Sequence, residues 1–231
     1  MAEGLKTFVR AVCPPIVWDA LVAARRKAAV RDRSTSGDSQ DLDLYWNAEM
    51  AELLEKWGEG TAWEEIQLLM AARSGKVLDI ACGTGVVMKR LGKFNELELH
   101  GCDISDVLID KAVQSGIPKD HLTICDATKM PYPDLEFDFS YSIGSLEHFT
   151  VDGLAKTISE AARVTKVASF HMLPTSRSGE DEGWLKTYQS MHNCSVSWWS
   201  EKFARAFRQV HVFDSRWNDN ISVGKWFVCV K

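Results

Sequence analysis

The sequence predicts an α/β protein built on a mostly parallel sheet, with a helical extension at the N-terminus. Short apolar runs typical of buried strands recur between residues 77 and 230, and helical patterns alternate with them through residue 172. A glycine-containing turn follows the first run at Gly83 and Gly85, and aspartates end or follow the next two. Alternation of this kind implies right-handed crossovers between parallel strands.

The first 33 residues differ from the rest, with seven basic and three acidic residues and a net charge of +4 against −9 for the remainder. We predict a helix from near Pro15 to the basic run 25–27, where cations suit the helix dipole. It either packs on the domain edge or lies on an anionic membrane or a partner. Residues 34–43 predict a linker, so residues 1–44 form a basic helical extension with its linker and residues 45–231 the main domain.

The remaining elements follow in a regular order. Two helical patterns, one from Met50 to Trp57 and the other from Trp63 to Met70, precede the first strand. Ser105 is expected to cap the helix predicted at residues 106–115. Residues 174–196 are expected to be irregular. We predict strands at residues 77–80, 97–103, 121–125, 137–143, 166–172, 210–214 and 225–230, and later helices at residues 86–91, 106–115, 152–163 and 197–207.

Composition excludes several classes of protein. The chain has 231 residues, of which 45% are hydrophobic and 26% charged, as in an ordinary globular protein. Its net charge of −5 argues against general nucleic-acid binding. The apolar stretch 11–24 is interrupted by Pro14, Pro15 and Asp19, so we expect mature structure there and not a signal peptide. Six scattered cysteines without zinc-like spacing favour reduced thiols, a cytoplasmic protein and no metal site.

The stretch Val77–Gly85 is a short apolar strand with one acid, followed by a loop of small residues and a helix. Such a turn presents backbone N–H groups to a ligand, and glycine permits a close approach. A dinucleotide fingerprint needs a third glycine where Met88 stands, and a phosphate-binding loop needs Gly-Lys-Ser/Thr. By itself the turn is compatible with a ligand or with none.

The pattern Asp79-x-x-x-Gly83-x-Gly85 resembles the first motif of class I S-adenosylmethionine-dependent methyltransferases. The run Gly144–Phe149, which contains Leu-Glu-His, resembles their fourth motif. The resemblance covers about residues 45–231. It implies a Rossmann-like seven-stranded methyltransferase sheet with an antiparallel last strand, and S-adenosyl-L-methionine as cofactor. The Pro-Pro-Ile-Val-Trp-Asp element at 14–19 is similar to small stand-alone methyltransferases of bacterial surface-polysaccharide clusters, and so are the segments around Trp57, Trp63 and Trp184.

The cofactor residues follow from strand ends and from this resemblance. Asp103 lies 18 residues beyond Gly85, at the end of the neighbouring strand, where one carboxylate can accept from both ribose hydroxyls. The resemblance implies that Asp126 takes the adenine amino group, that the Ala127 N–H meets the ring and that Asp79 suits the ammonium group. Tyr45 and Trp46 are also predicted cofactor residues that would close over the cofactor, with attachment of the N-terminal helices to the core as their alternative role. The remaining predicted cofactor residues are Ala81, Gly83, Gly85, Ile104 and Ser142.

Methyl transfer requires the acceptor lone pair to lie about 3 Å from the methyl carbon, and a sugar hydroxyl needs a general base. His148 is the candidate catalytic base because the resemblance places the fourth strand's end beside the cofactor's methionine part; the alternative is that it only lines the pocket. The predicted substrate-binding residues are His171, Trp184, Tyr188 and His192. His171 has a core role as its alternative, and the tryptophans of residues 174–199 have packing on the core as theirs.

The favoured function is S-adenosylmethionine-dependent methylation of a small molecule or saccharide, with oxygen as the favoured methylated atom. The alternatives are a non-catalytic adenosylmethionine-binding scaffold that uses its basic N-terminus for a partner, and a methyltransferase acting on a protein. Nucleic acid is disfavoured by the negative charge and by Ser-Ile-Gly-Ser at 142–145, where DNA amino-methyltransferases carry N/D-P-P-Y/F. The acceptor and the oligomeric state stay open.

Overall fold

The computed structural model describes residues 40–46, 48–94 and 96–231, so the predicted basic helix and most of the predicted linker lie outside the described residues. The described part contains six α-helices: α1 (Ala48–Leu54), α2 (Ala62–Met70), α3 (Val86–Leu91), α4 (Asp106–Gln114), α5 (Val151–Val164) and α6 (Val196–Ala204). Single 3-10 turns occur at Leu42–Trp46, Lys119–His121 and Leu146–His148.

The described residues also form nine strands: β1 (Gly75–Ile80), β2 (Leu97–Asp103), β3 (Leu122–Ile124), β4 (Phe137–Ile143), β5 (Thr165–Ser176), β6 (Gly183–Leu185), β7 (Met191–Asn193), β8 (Gln209–Asn218) and β9 (Ser222–Val230). Seven of them form one sheet in the order β3-β2-β1-β4-β5-β9-β8. The strands β1 to β5 are parallel to one another, and β9 runs antiparallel to β5 and β8. The predicted mostly parallel sheet with an antiparallel last strand is therefore confirmed.

The hydrophobic core lies on both faces of this sheet, because successive residues of a strand point to opposite sides. Val77 belongs to a cluster that packs against α2, α3 and α4, whereas Leu78 belongs to a cluster that packs against α5 and α6. Trp199 of α6 is fully buried in the second cluster. Burial on both faces accounts for the nearly continuous apolar runs of the central strands.

The prediction that residues 174–196 are irregular was wrong. The first three residues of that stretch extend β5, and β6 and β7 pair antiparallel into a separate hairpin. Strands of three residues carry too few alternating positions to show a period in the sequence. The Met50–Trp57 pattern also ends earlier than predicted, since α1 stops at Leu54 and turns follow.

Candidate active site

A cavity of about 610 Å³ lies where β1, β2 and β4 end at their carboxyl edge. In open α/β sheets this edge is where ligands bind, because the chain leaves it in loops that diverge. The volume falls in the usual range for small-molecule sites. Ten predicted site residues line the cavity: Tyr45, Asp79, Ala81, Gly83, Asp103, Ile104, Asp126, Ala127, His148 and Tyr188.

The loop after β1 takes a backbone that favours glycine. Gly83 has φ +55° and lines the cavity, whereas Gly85 has φ +72° and caps α3 in the left-handed region. A Cβ on Gly85 would lie 2.1 Å from Cδ1 of Ile117, so close packing against the neighbouring layer also requires glycine there. Gly85 is not part of the cavity lining, and the structure gives it a role in shaping the turn.

Asp79 lies at the floor of the cavity on β1. Its side chain is buried, and the Tyr141 hydroxyl donates to its Oδ2 at 2.9 Å. Burial raises the pKa of Asp79 well above its ordinary value, and the nearby Asp103 raises that pKa further. A carboxyl held in this way suits a cationic group, because a positive charge would lower the cost of its ionisation.

Asp103 ends β2 and is held on both oxygens. Its Oδ2 accepts from the Gly83 N–H at 2.9 Å, and its Oδ1 accepts from the Ser105 N–H at 2.9 Å. Ser105 caps α4 as predicted, since its side chain accepts from the Leu108 N–H. Burial raises the pKa of Asp103, while the two backbone N–H groups lower it. Each oxygen keeps a lone pair, so the carboxylate can still accept from a pair of hydroxyls.

Asp126 and Ala127 follow β3 at the rim of the same cavity. The Asp126 side chain is exposed and accepts from the Thr128 N–H at 2.8 Å, and Ala127 is buried beside it. Ile104, which follows Asp103, is also in the lining. These positions match the predicted adenine end of the cofactor, and their roles stay predictions.

The segment of residues 40–46, which we call the strap, crosses from the β2 side of the cavity to residues 189–190. On one side, the Ser105 hydroxyl donates to the Tyr45 carbonyl at 2.7 Å. On the other, Gln189 donates to the Tyr45 hydroxyl at 2.7 Å and the Ser190 N–H donates to Asp41 Oδ2 at 2.8 Å. Residues before 45 are thus attached to the domain.

Within the strap, Tyr45 lines the cavity, whereas Trp46 does not. The Trp46 side chain is 43% exposed and donates to Asp106 Oδ1 at 2.9 Å. The structure therefore places Trp46 on the outer side of the strap, because adjacent side chains of a turn leave it in different directions.

His148 and Glu147 lie in the 3-10 turn after β4, and both are buried in the cavity wall. His148 Nδ1 lies 2.9 Å from the Ser190 carbonyl oxygen. Because that oxygen can only accept, Nδ1 carries the proton and Nε2 keeps its lone pair. Burial lowers the pKa of His148 to about 4, so the ring is neutral at pH 7. His148 therefore has the protonation state of a base.

Glu147 was not among the predicted site residues. Its Oε1 lies 3.7 Å from His148 Nε2, which is too far for a hydrogen bond, and its Oε2 has no hydrogen-bond partner among the described residues. Burial raises the pKa of Glu147 to about 8. An acid after an apolar residue gives no sequence sign of burial, so this residue was not distinguishable before the fold was known.

His171 and Ser142 lie away from the cavity. Both are fully buried on neighbouring strands, and the Ser142 hydroxyl lies 2.8 Å from His171 Nδ1. Ser169 Oγ lies 2.8 Å from Nε2, and the ring stacks on Phe203. With both ring nitrogens bonded inside the core, His171 is not available to a substrate in this arrangement. Ser142 is not in the lining, whereas the following three residues, 143–145, are.

Of the residues in the 174–199 stretch that were predicted to bind the acceptor, one lines the cavity and two do not. Tyr188 is 61% exposed and lines the cavity mouth. His192 is buried between Trp184 and Trp198, with ring centroids 4.6 and 5.1 Å away, and neither His192 nor Trp184 lines the cavity. These tryptophans pack the hairpin and α6 together, in agreement with the alternative reading of the sequence.

Four aromatic residues outside the predicted set also line the cavity, namely Trp57, Trp63, Phe149 and Trp217, and two of them form a pair. Trp57 follows α1 and Trp217 is on β8, and their ring centroids are 5.2 Å apart. They are 160 positions apart in the chain, so no local pattern could have brought them together. Among the described residues, no group of three or more His, Cys, Asp or Glu could hold a metal ion, and no helix is long and apolar enough to span a membrane.

Comparison with known proteins agrees with this geometry. Residues 77–168 match the family described as "Methyltransferase domain", a range that begins at the glycine-turn strand and ends in β5. The match agrees with the predicted class of enzyme, a methyltransferase, for these residues. The predicted cofactor, S-adenosylmethionine, agrees with that match.

Curated relatives span different substrates. A 27-O-demethylrifamycin SV methyltransferase of Amycolatopsis mediterranei is 30% identical over 128 residues, which are 53% of this chain and 46% of that protein. A ubiquinone/menaquinone biosynthesis C-methyltransferase of Burkholderia cenocepacia is 32% identical over 157 residues, 64% of this chain and 63% of that one. A probable tRNA methyltransferase 9B of Mus musculus is 34% identical over 109 residues, 46% of this chain and 23% of the relative. The chain thus spans less than two thirds of each relative.

Solved structures share the fold at low sequence identity. A protein from Nostoc punctiforme has a TM-score of 0.68 at 15% identity, covering 89% of this chain and 67% of that one. A phosphoethanolamine N-methyltransferase of Haemonchus contortus, solved with S-adenosylhomocysteine, has a TM-score of 0.57 at 14% identity, covering 73% of this chain and 52% of the other. These likenesses establish the fold.

Proposed function

We propose that the chain is an S-adenosylmethionine-dependent methyltransferase that methylates a hydroxyl group of a small molecule or saccharide. The observation that carries the proposal is the state of His148. Its Nδ1 is committed to the Ser190 carbonyl, and its Nε2 keeps a lone pair in the wall of the cavity that also contains Asp79 and Asp103.

The residues present fit the cofactor by the chemistry of their donors and acceptors. Asp103 would accept from the ribose hydroxyls and Asp79 would bind the ammonium group, while Asp126 and Ala127 would meet the adenine. The orphaned carboxyl of Glu147 is a further buried acid on the cavity wall that suits a donor or a cation. When bound, S-adenosylmethionine supplies an electrophilic methyl group on a sulfonium.

The chain's own residues would hold the acceptor and remove its proton. His148 Nε2 would take the proton of the acceptor hydroxyl, and the Ser190 carbonyl would keep the ring in the required tautomer while stabilising the cation that forms. Tyr45 and the strap would limit access of water to the reacting atoms.

Two other functions belong beside this one. The likeness to a probable tRNA methyltransferase favours an RNA acceptor, but the net charge of −5 opposes binding to a phosphate backbone. An adenosylmethionine-binding scaffold, with the basic N-terminus contacting a partner or an anionic surface, would retain the cavity and lack turnover. The resemblance to enzymes of surface-polysaccharide clusters and a cytoplasmic location are further parts of the proposal.

Calorimetry of S-adenosylhomocysteine binding and an assay of methyl transfer test the proposal. S-adenosylhomocysteine should bind the wild-type protein. The Asp103→Ala substitution should raise the dissociation constant of S-adenosylhomocysteine by about 10- to 100-fold, since charged hydrogen bonds contribute about 1.5–3 kcal/mol. Asp110→Ala, an exposed acid on α4, is the matched control. Radiolabelled methyl transfer to a panel of phenols and neutral glycosides then separates an enzyme from a scaffold. Equal affinities for the wild type and Asp103→Ala would overturn the cofactor assignment.

A further inference from the structure

Part of the cavity lining is apolar and contains none of the residues assigned to the cofactor above. Trp57 and Trp217 belong to it, with ring centroids 5.2 Å apart and planes inclined by 36°. Both side chains are half-buried, so part of each ring faces the cavity. Leu54, Ile143, Pro174 and Ile221 are further apolar residues of the lining.

This aromatic pair adjoins the turn that carries His148. Gly144 follows β4 with φ +63°, and a Cβ on Gly144 would lie 2.7 Å from Cη2 of Trp57. The indole therefore lies directly against the backbone four residues before His148. A group that packs on the ring is brought to the same side of the sheet as the base.

The charges around the cavity disfavour an anion. Its lining contains Asp79, Asp103, Asp126, Glu147 and Asp219, and Lys186, which is exposed, is the one Lys or Arg of the lining among the described residues. Burial raises the pKa of Asp79, Asp103 and Glu147, which means that the site stabilises their negative charge poorly. An anionic substituent on the acceptor would meet the same cost of burial, and Lys186 is the one cationic side chain of the described lining that could offset it.

The residues named with the tryptophan pair lack the groups that recognise a sugar. Sugar hydroxyls need several donors and acceptors, and an unsatisfied polar group costs about 1–3 kcal/mol when it is buried. Leu54, Ile143 and Pro174 offer no side-chain hydrogen bond. Arg177 could have donated hydrogen bonds to a sugar, but it donates to the carbonyls of Asp219 and Ser222.

We infer that the acceptor carries its reacting hydroxyl on an apolar ring without negative charge, and that this ring packs against Trp57 and Trp217. The inference rests on the proposed function and narrows it. Of the two acceptor classes proposed, it selects the apolar small molecule over the saccharide.

Three probes of defined chemistry test the inference on the full chain saturated with S-adenosylhomocysteine: 2-naphthol, 6-hydroxy-2-naphthoate and methyl β-glucopyranoside. Calorimetry should give 2-naphthol at least about tenfold tighter binding than either of the others. Trp217→Ala should weaken 2-naphthol binding by about tenfold, since a lost aromatic contact and its buried area are of that order. Trp217→Leu, which keeps apolar volume, is the second variant should the first fail to fold.

Phe213→Ala is the matched control, because Phe213 is an aromatic residue on the same strand, 54% exposed and outside the cavity lining. It should leave 2-naphthol binding unchanged. Equal or tighter binding of the naphthoate or the glucoside overturns the inference, as does undetectable binding of 2-naphthol or no loss in the Trp217 variants. A wild-type protein that does not bind S-adenosylhomocysteine overturns the proposed function as well, so the two failures are distinguishable.

Discussion

His148 and His171 are both buried near the centre of the sheet, and burial lowers the pKa of each, to about 4 and about 3. They differ in what surrounds the second ring nitrogen. His148 has one nitrogen on the Ser190 carbonyl and the other in the cavity wall, whereas His171 has a serine hydroxyl on each nitrogen. Residue type and burial therefore do not distinguish a candidate base from a core histidine. The partner of the second nitrogen does.

The largest effect should come from removing the base. His148→Asn keeps a donor toward the Ser190 carbonyl but has no basic nitrogen, so methyl transfer to the identified acceptor should fall by about 10²- to 10⁴-fold. The dissociation constant of S-adenosylhomocysteine should not change. Radiolabelled methyl transfer and calorimetry measure the two quantities.

The control for this variant is His121→Asn. His121 Nδ1 also contacts a backbone carbonyl, that of Leu99 at 2.8 Å, but it lies outside the cavity lining. Its activity should match the wild type. An equal loss of methyl transfer in both variants would contradict the role of His148 as the base.

His171→Ala should reduce the free energy of unfolding by about 2–4 kcal/mol, because the substitution leaves a cavity and removes a hydrogen bond from each of the buried Ser142 and Ser169 hydroxyls. The affinity for S-adenosylhomocysteine should be retained. Urea denaturation measures the change, and His211→Ala, at an exposed position on β8, should stay within about 0.5 kcal/mol. A stable His171→Ala protein that has lost activity would contradict the core role.

The stability difference between the wild type and His171→Ala should also depend on pH. The folded pKa of His171, about 3, lies below its ordinary value of 6.5, so the native state binds fewer protons than the unfolded state. The contribution of neutral His171 is complete above pH 6.5 and is lost as the pH falls toward 3. The stability difference should therefore be constant above about pH 7 and narrow by about 1.4 kcal/mol per pH unit below 6.5. Denaturation curves at several pH values measure it, and a constant difference down to pH 4 would be incompatible with a neutral buried ring.

The smallest effect concerns the strap, which packs near His148 and not near His171. Tyr45→Phe removes the hydroxyl that accepts from Gln189, and this should weaken S-adenosylhomocysteine binding by a few-fold, within the roughly 0.5–1.5 kcal/mol of one hydrogen bond. Trp46→Phe removes an exposed bond to Asp106 on the outer side and should have no effect on the affinity. The reverse order of the two variants would show that the strap closes the cavity in another way.

Much of the cofactor half could be predicted from the sequence. Asp79, Asp103 and Asp126 each lie within or just after a strand, and parallel strands bring their carboxyl ends to one edge, so short-range pattern and fold rules were sufficient. Gly83 lines the cavity as expected. Gly85 and Ser142 carry the family pattern too, but the structure gives them packing and core contacts.

The part of the site proposed to bind the acceptor could be identified only from the tertiary structure. The tautomer of His148 depends on a carbonyl 42 residues away, and the Trp57–Trp217 pair joins the end of one helix to a strand near the other end of the chain. Trp184 and His192 had the composition of a binding loop, yet they pack on each other and on α6. The sequence by itself determined the sheet and the acids at its carboxyl edge, because these follow from periodicity and strand order. Which side chains meet across the cavity depends on contacts between distant segments, and those exist only once the chain has folded.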